Sequence, residues 1–267
     1  MIDLHSHILP GVDDGSSDLN ESIAMCRIAA ADGATTLVAT PHLRHSRYWN
    51  DDRSALEASY RELCGALGKE GLELEVLLGG EITVGSESVA EIDALPGGQL
   101  LTLCGSKYLL LELDWQGLGP DPLELVYEVD VLGWRPIIAH PERVSWLSED
   151  LELASAMQEN GATFQLTSMS LTGRFGSQIK ERSERWLDAG LVHFVSSDAH
   201  DVKHRPPGLA AARALVAERC GDEVAEALFV GNPRCVVDDR PLPPQPSVER
   251  PGGGLGARFR RFAGRSS

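Results

Sequence analysis

The chain opens Met1-Ile2-Asp3-Leu4-His5-Ser6-His7, and its two histidines are the first residues with chemistry to offer. In an extended strand alternate side chains share a face, so both imidazoles can reach one cation. The arrangement recurs. Apolar, strand-like runs end in Pro41-His42, Gly79-Gly80-Glu81, Leu111-Glu112, Ala139-His140 and Asp198-Ala199-His200. Such residues at the carboxyl ends of successive strands converge on one mouth in a barrel of alternating strands and helices. The pattern reads as a polynuclear metal site.

Each residue has a plainer reading to be weighed. A lone histidine is more often structural than a ligand, and His45, His193 and His204 are read that way. His5 and His7 stand apart because the pair serves no obvious packing purpose before a loop, and Asp198-Ala199-His200 repeats their spacing. Glu112 lies in Leu109-Leu110-Leu111-Glu112-Leu113. A carboxylate there is costly to bury unless metal-bound or paired with an arginine. Covalent catalysis lacks a visible nucleophile: no cysteine precedes an arginine by six residues, and neither GxxxxGK[ST] nor GxSxG occurs. What remains is water activated by metals, with Arg143 and Arg205 as guanidinium donors to phosphate oxygens, unless either is a surface residue.

Elements must hold these residues in place. Strands are expected over 35–40, 74–78, 108–111, 136–139 and 193–197. Asp18 is placed to cap a helix that stops at Gly33, and Asp121-Pro122 opens one that Gly133 closes. Further helices are expected over 54–69, 149–160, 177–189, 207–219 and 223–229, most with a glycine just beyond the last turn. Strand and helix alternate, which predicts parallel strands joined by helical crossovers.

Composition bounds the reading. With 267 residues and 42% hydrophobic content, one domain is expected over 1–240. The Pro/Gly-rich stretch and basic end at 241–267 are read as a flexible tail. Leu255, Phe259 and Phe262 among its arginines suggest peripheral membrane contact, against the alternative of a solvated tail. No apolar run is long enough to span a membrane, the first residues enter a strand rather than a secretory signal, and five scattered cysteines suit a reducing cytoplasm. The net charge is −16; residues 248–267 carry five arginines against Glu249, which leaves −20 on residues 1–247 and disfavours a nucleic-acid partner.

Taken together, His5-Ser-His7, Thr-Pro-His42, Gly-Glu81-Ile, Leu-Glu112-Leu, Ala-His140-Pro-Glu-Arg143 and Ser-Asp198-Ala-His200 resemble the PHP (polymerase and histidinol phosphatase) superfamily, over roughly residues 1–240. Within it, Leu9-Pro-Gly-Val-Asp-Asp-Gly15, the stretch from Gln165 through Ser170 to Gly176, and the segment ending Arg205-Pro206 resemble the CpsB/YwqE-type bacterial protein-tyrosine phosphatases of capsule and exopolysaccharide loci. That resemblance implies an α/β fold, a distorted (β/α)7 TIM-like barrel. It implies three divalent metal ions, usually manganese, although the mixed nitrogen and oxygen donors also suit iron or zinc. His5, His7, Glu81 and Asp198 would hold one ion, Glu81, Glu112 and His140 a second with Glu81 bridging, and Asp14, His42 and His200 the third. Arg143 and Arg205 would steady the phosphoryl oxygens, and Asp13 could donate a proton to the leaving group. The implied substrate is the phosphotyrosine tail of a bacterial tyrosine kinase, met at the inner face of the membrane; self-association stays open. One departure is Gln165-Leu-Thr-Ser-Met-Ser170, which bears on substrate fit. A histidinol-phosphate phosphatase, a nuclease of the superfamily and a non-catalytic metal-holding module are the alternatives.

Overall fold

The computed structural model describes residues 1–85, 100–117 and 119–248. Nine strands form in chain order: β1 (Ile2–Ser6), β2 (Thr36–Ala39), β3 (His42–Leu43), β4 (Glu75–Leu78), β5 (Glu81–Val84), β6 (Tyr108–Leu113), β7 (Arg135–Ala139), β8 (Thr163–Thr167) and β9 (Phe194–Ser196). They make two sheets, β1-β2-β4 and β3-β5-β6-β7-β8-β9, with every pairing parallel. Strands covered by helices on their outer side read as continuous apolar runs, and all six residues of β6 are buried.

The sheets are joined by two broken strands. β2 and β3 are one course of chain interrupted at Thr40-Pro41, and β4 and β5 another interrupted at Gly79-Gly80. A Cβ at Gly79 would lie 2.9 Å from the Leu103 side chain, so this break needs glycine to pass. At the other side β1 meets the end of β9 through a bridge between Ser6 and Ala199, supported by His7 N–H to Ala199 O (2.8 Å) and Asp198 N–H to His5 O (2.9 Å). The described residues therefore form adjoining open parallel sheets and not the single closed ladder that a regular barrel would show.

Helices begin and end where their residue types dictate. Asp18 caps α1 (Leu19–Ala31) by accepting from the N–H groups of Asn20 and Glu21. Asp52 does the same for α2 (Arg53–Glu70), which ends on Gly71 at φ 66°. Asp121 caps α3 (Pro122–Val131), and α4 (Ser145–Ser148) and α5 (Leu151–Glu159) follow β7. Beyond β8 come α6 (Ser168–Leu171) and α7 (Ser177–Asp188), then α8 (Ala210–Cys220). The helix expected over 223–229 is instead α9 (Asp222–Glu226) running through a π turn, Ala227–Gly231, into α10 (Asn232–Val237). Pro233 is not a stop there; it sits in the first turn of α10, where its missing N–H costs nothing.

Residues 241–248 carry no regular secondary structure, yet Leu242 and Val248 pack against the core and Gln245 accepts from Asn232 Nδ2 at 3.1 Å. The basic end of the flexible tail expected over 241–267, for which peripheral membrane contact is one of two readings, lies beyond them, outside the described residues. No helix among the described residues is long and apolar enough to cross a membrane.

Candidate metal centre

β1 delivers His5 and His7 to the carboxyl end of the sheet, and the loop that follows folds back beneath them. Ser16 N–H donates to His7 O at 3.0 Å, and Gly15 lies so close that a Cβ there would meet His7 O at 2.1 Å. The two breaks described above aim His42 and Glu81 inward, His42 pairing in register with Glu81 across β3 and β5. Glu112 lies within β6 rather than after it, held by Thr83 Oγ1 (3.0 Å) and Trp115 Nε1 (3.2 Å). His140 and Asp198 follow β7 and β9 at φ 34° and 52°, a left-handed backbone that costs energy for residues other than glycine and clusters at functional sites.

All nine expected ligands come together. Donor atoms of His7, Asp14, His42 and His200 lie within 4.8 Å of one another, as do those of His5, His7 and Glu81, and of His42, Glu81 and Glu112. Asp198 Oδ1 is 3.5 Å from His5 Nε2 and 3.6 Å from His7 Nε2. His140 Nε2 lies 3.0 Å from Glu81 Oε1 and 3.9 Å from Glu112 Oε1. His7 thus neighbours two groups, whereas the sequence placed it in one.

Their protons are arranged for cations. His5 Nδ1 meets Gln165 Oε1 at 3.0 Å, His7 Nδ1 meets Asp13 Oδ2 at 2.8 Å, and His200 Nδ1 meets the Asp198 carbonyl at 3.0 Å. Each acceptor fixes the ring proton on Nδ1 and turns the Nε2 lone pair inward. His5 Nε2 and His7 Nε2 face each other at 3.2 Å. Glu81 Oε2 is fully buried, lies 3.0–3.3 Å from nitrogens of three imidazoles and makes no hydrogen bond of acceptable geometry. A buried carboxylate oxygen set among three imidazole nitrogens without a hydrogen bond of good geometry is a place that a bound cation would complete. Burial raises the Glu81 pKa, but the surrounding imidazoles outweigh it and hold the carboxyl well below its usual range. The residues present fit a metal cluster.

Asp13 lies behind the ligands. Its Oδ2 accepts from His7 and from His42 N–H (2.9 Å), its Oδ1 from Gly15 N–H (3.0 Å). Burial works against its charge, yet the neighbouring His7 wins and keeps it ionised. Arg143 and Arg205 converge from the open side on one oxygen, Asp198 Oδ2, at 2.7 and 2.5 Å. Trp115 escaped the sequence reading as part of this site, and Gln165 and Phe175 entered it only within the stretch that resembles the family, with no role of their own. A buried glutamine inside an apolar strand gave for Gln165 the same signal that Glu112 gave; Trp115 sits in a loop where nothing marked it.

The site and fold define a class: an α/β protein with a cluster of histidines and carboxylates able to hold metal, flanked by paired guanidinium groups. The chain belongs to the CpsB/CapC family of capsular polysaccharide synthesis, which matches over residues 1–238. It is 43% identical over 205 residues to the tyrosine-protein phosphatase YwqE of Bacillus subtilis, covering 77% of this chain and 79% of that protein. It is 30% identical over 242 residues to the tyrosine-protein phosphatase CpsB of Streptococcus agalactiae, covering 89% and 98%. A crystal structure from work on YwqE and on CpsB of Streptococcus pneumoniae, described as metal-dependent tyrosine phosphatases, is similar at a TM-score of 0.85 and 36% identity, over 94% of this chain and 100% of that one.

Proposed function

We propose that this protein is a metal-dependent phosphatase acting on protein phosphotyrosine, its substrate the tail of a bacterial tyrosine autokinase that controls capsule or exopolysaccharide synthesis. The observation that carries this reading is Glu81 Oε2, buried among three imidazole nitrogens without a hydrogen bond, beside two guanidinium groups. The tyrosine phosphatases to which the chain is similar support the substrate class. His5, His7, Glu81 and Asp198, then Glu81, Glu112 and His140, then Asp14, His42 and His200 are the three ligand sets, with His7 near enough to serve the last as well. Manganese is the proposed metal; the donor set also accommodates iron or zinc. Bound there, such cations supply Lewis acidity and a water of lowered pKa.

The chain's own groups do the rest. Arg143 and Arg205 present a two-donor fork to phosphoryl oxygens, matching the charge that grows as the bond to phosphorus forms. Asp13, Gln165 and the Asp198 carbonyl hold His7, His5 and His200 with Nε2 directed inward. With three donors already on its carboxylate, Asp13 is assigned to orienting His7 rather than to giving up a proton. A phenolate, with pKa about 10, departs without a strong acid.

The strand order is read as a distorted (β/α)7 barrel whose mouth holds the site. Action at the cytoplasmic face of the membrane, with the basic end of the chain attracted to anionic lipid, completes the proposal. Manganese-loaded protein should dephosphorylate a phosphotyrosine peptide, with activity abolished by chelation. Turnover of histidinol phosphate but not of the peptide, assayed side by side, would assign the site to small phosphomonoesters instead.

A further inference from the structure

Trp115 occupies an unusual position. Its indole N–H is held by Glu112 Oε1 at 3.2 Å, its ring stacks on His140 with centroids 5.6 Å apart and planes 25° apart, and the Arg143 guanidinium lies 4.9 Å from its centroid. Although it touches a ligand carboxylate, a ligand imidazole and a phosphate-seeking arginine, Trp115 remains 41% exposed. Its free surface lines an open cavity of ≈ 810 Å³ that runs past Asp14 and Glu112 to Tyr48 and Trp49. Two ties anchor the loop that carries it: Trp146 Nε1 donates to Asp114 O at 3.0 Å, and Gly117 N–H closes the turn onto the same oxygen at 3.2 Å. A large aromatic side chain is therefore held in place, part-exposed to water and against the guanidinium that would bind phosphate. Exposing an indole costs free energy that a second ring can recover.

We propose that Trp115 is the residue by which this site selects aryl over alkyl phosphates: the substrate's phenyl ring packs on the open indole while its phosphate engages Arg143. This deepens the phosphatase reading and rests on it for the position of the phosphate. Phe175 provides the contrast. Its ring lies 5.0 Å from the Arg143 guanidinium and 6.0 Å from that of Arg205, so it packs against the phosphate-binding pair and does not line that cavity.

The test uses manganese-loaded full chain and two non-hydrolysable probes, phenylphosphonate and methylphosphonate, titrated by calorimetry into wild type, Trp115→Phe, Trp115→Leu and Phe175→Leu, with metal content measured for each. Wild type should prefer the phenyl probe. Trp115→Leu should lose about 3- to 10-fold of that preference, the range of one aromatic contact. Trp115→Phe, which lacks the same hydrogen bond to Glu112 but keeps a ring, should retain most of it. Phe175→Leu should weaken both probes alike. An unchanged phenyl-to-methyl ratio in Trp115→Leu, an equal loss in Trp115→Phe, or no preference in wild type overturns the proposal. A wild type that shows the preference yet leaves a phosphotyrosine peptide intact sinks the phosphatase reading and not this one.

Discussion

Glu81 is the side chain whose removal should do most damage, because its carboxylate is shared among the histidines from β1, from β3 and from the end of β7. Glu81→Ala is expected to lose bound metal together with turnover; full metal occupancy in the purified variant would refute its bridging role. The arginines should behave differently. Arg143→Ala leaves every donor atom in place, so metal content should stay intact while kcat/KM falls about 100-fold, the usual cost of one donor to a developing charge. Asp13→Asn tests the orienting role. Losing the carboxylate behind His7 should weaken manganese binding by about 10- to 100-fold, and a variant with unchanged metal affinity and lost turnover would restore Asp13 as a proton donor.

At the scale of elements, Gly15 and His193 show how local packing sets limits. Gly15→Ala must displace the backbone of His7, so both thermal stability and metal occupancy should drop, measurable by melting with and without manganese. His193, at the start of the run into β9, accepts Phe164 N–H on Nδ1 at 3.2 Å, and burial pushes its pKa from 6.5 to about 4. The folded state keeps this ring neutral while the unfolded chain protonates it below pH 6.5. Stability from this residue is hence complete above that value and declines as pH falls toward 4, by up to about 3 kcal/mol. His193→Gln should flatten the pH dependence of the melting temperature across that window. Much of this layer was legible: aspartate caps and terminal glycines marked the helices within a few residues, and HxH and DxH marked two strand ends. The breaks at Thr40-Pro41 and Gly79-Gly80 were not, since a strand that changes sheet looks in sequence like a strand that ends. Glu112 was recognised from its apolar neighbours, but its place inside β6 depends on pairing with β5, which periodicity does not encode. The grip of Asp13 on His7 and the contact of Trp115 with Arg143 are products of loop geometry, invisible until the loops are folded.

Over the whole molecule, thiols stand apart from the chemistry. Cys26, Cys220 and Cys235 are buried, and burial pushes the thiols of Cys26 and Cys104 up to about 12. Alkylation of the metal-loaded protein should leave turnover largely intact, while chelation abolishes it and lowers the melting temperature, as removal of a ligand bound only by the native state must. Inactivation by alkylation without unfolding would reverse that assignment. The junction of Ser6 with Ala199 has a temporal consequence. The proposed ligands at the two ends of the fold cannot meet until the ribosome has added some 200 residues, on the order of 10–40 s of synthesis. A nascent chain exposes its early histidines throughout that interval but cannot trap an ion in the finished geometry. Fragments ending before β9 should accordingly bind manganese only weakly in equilibrium dialysis, and the choice of metal falls to the conditions the released protein meets rather than to those around the growing chain.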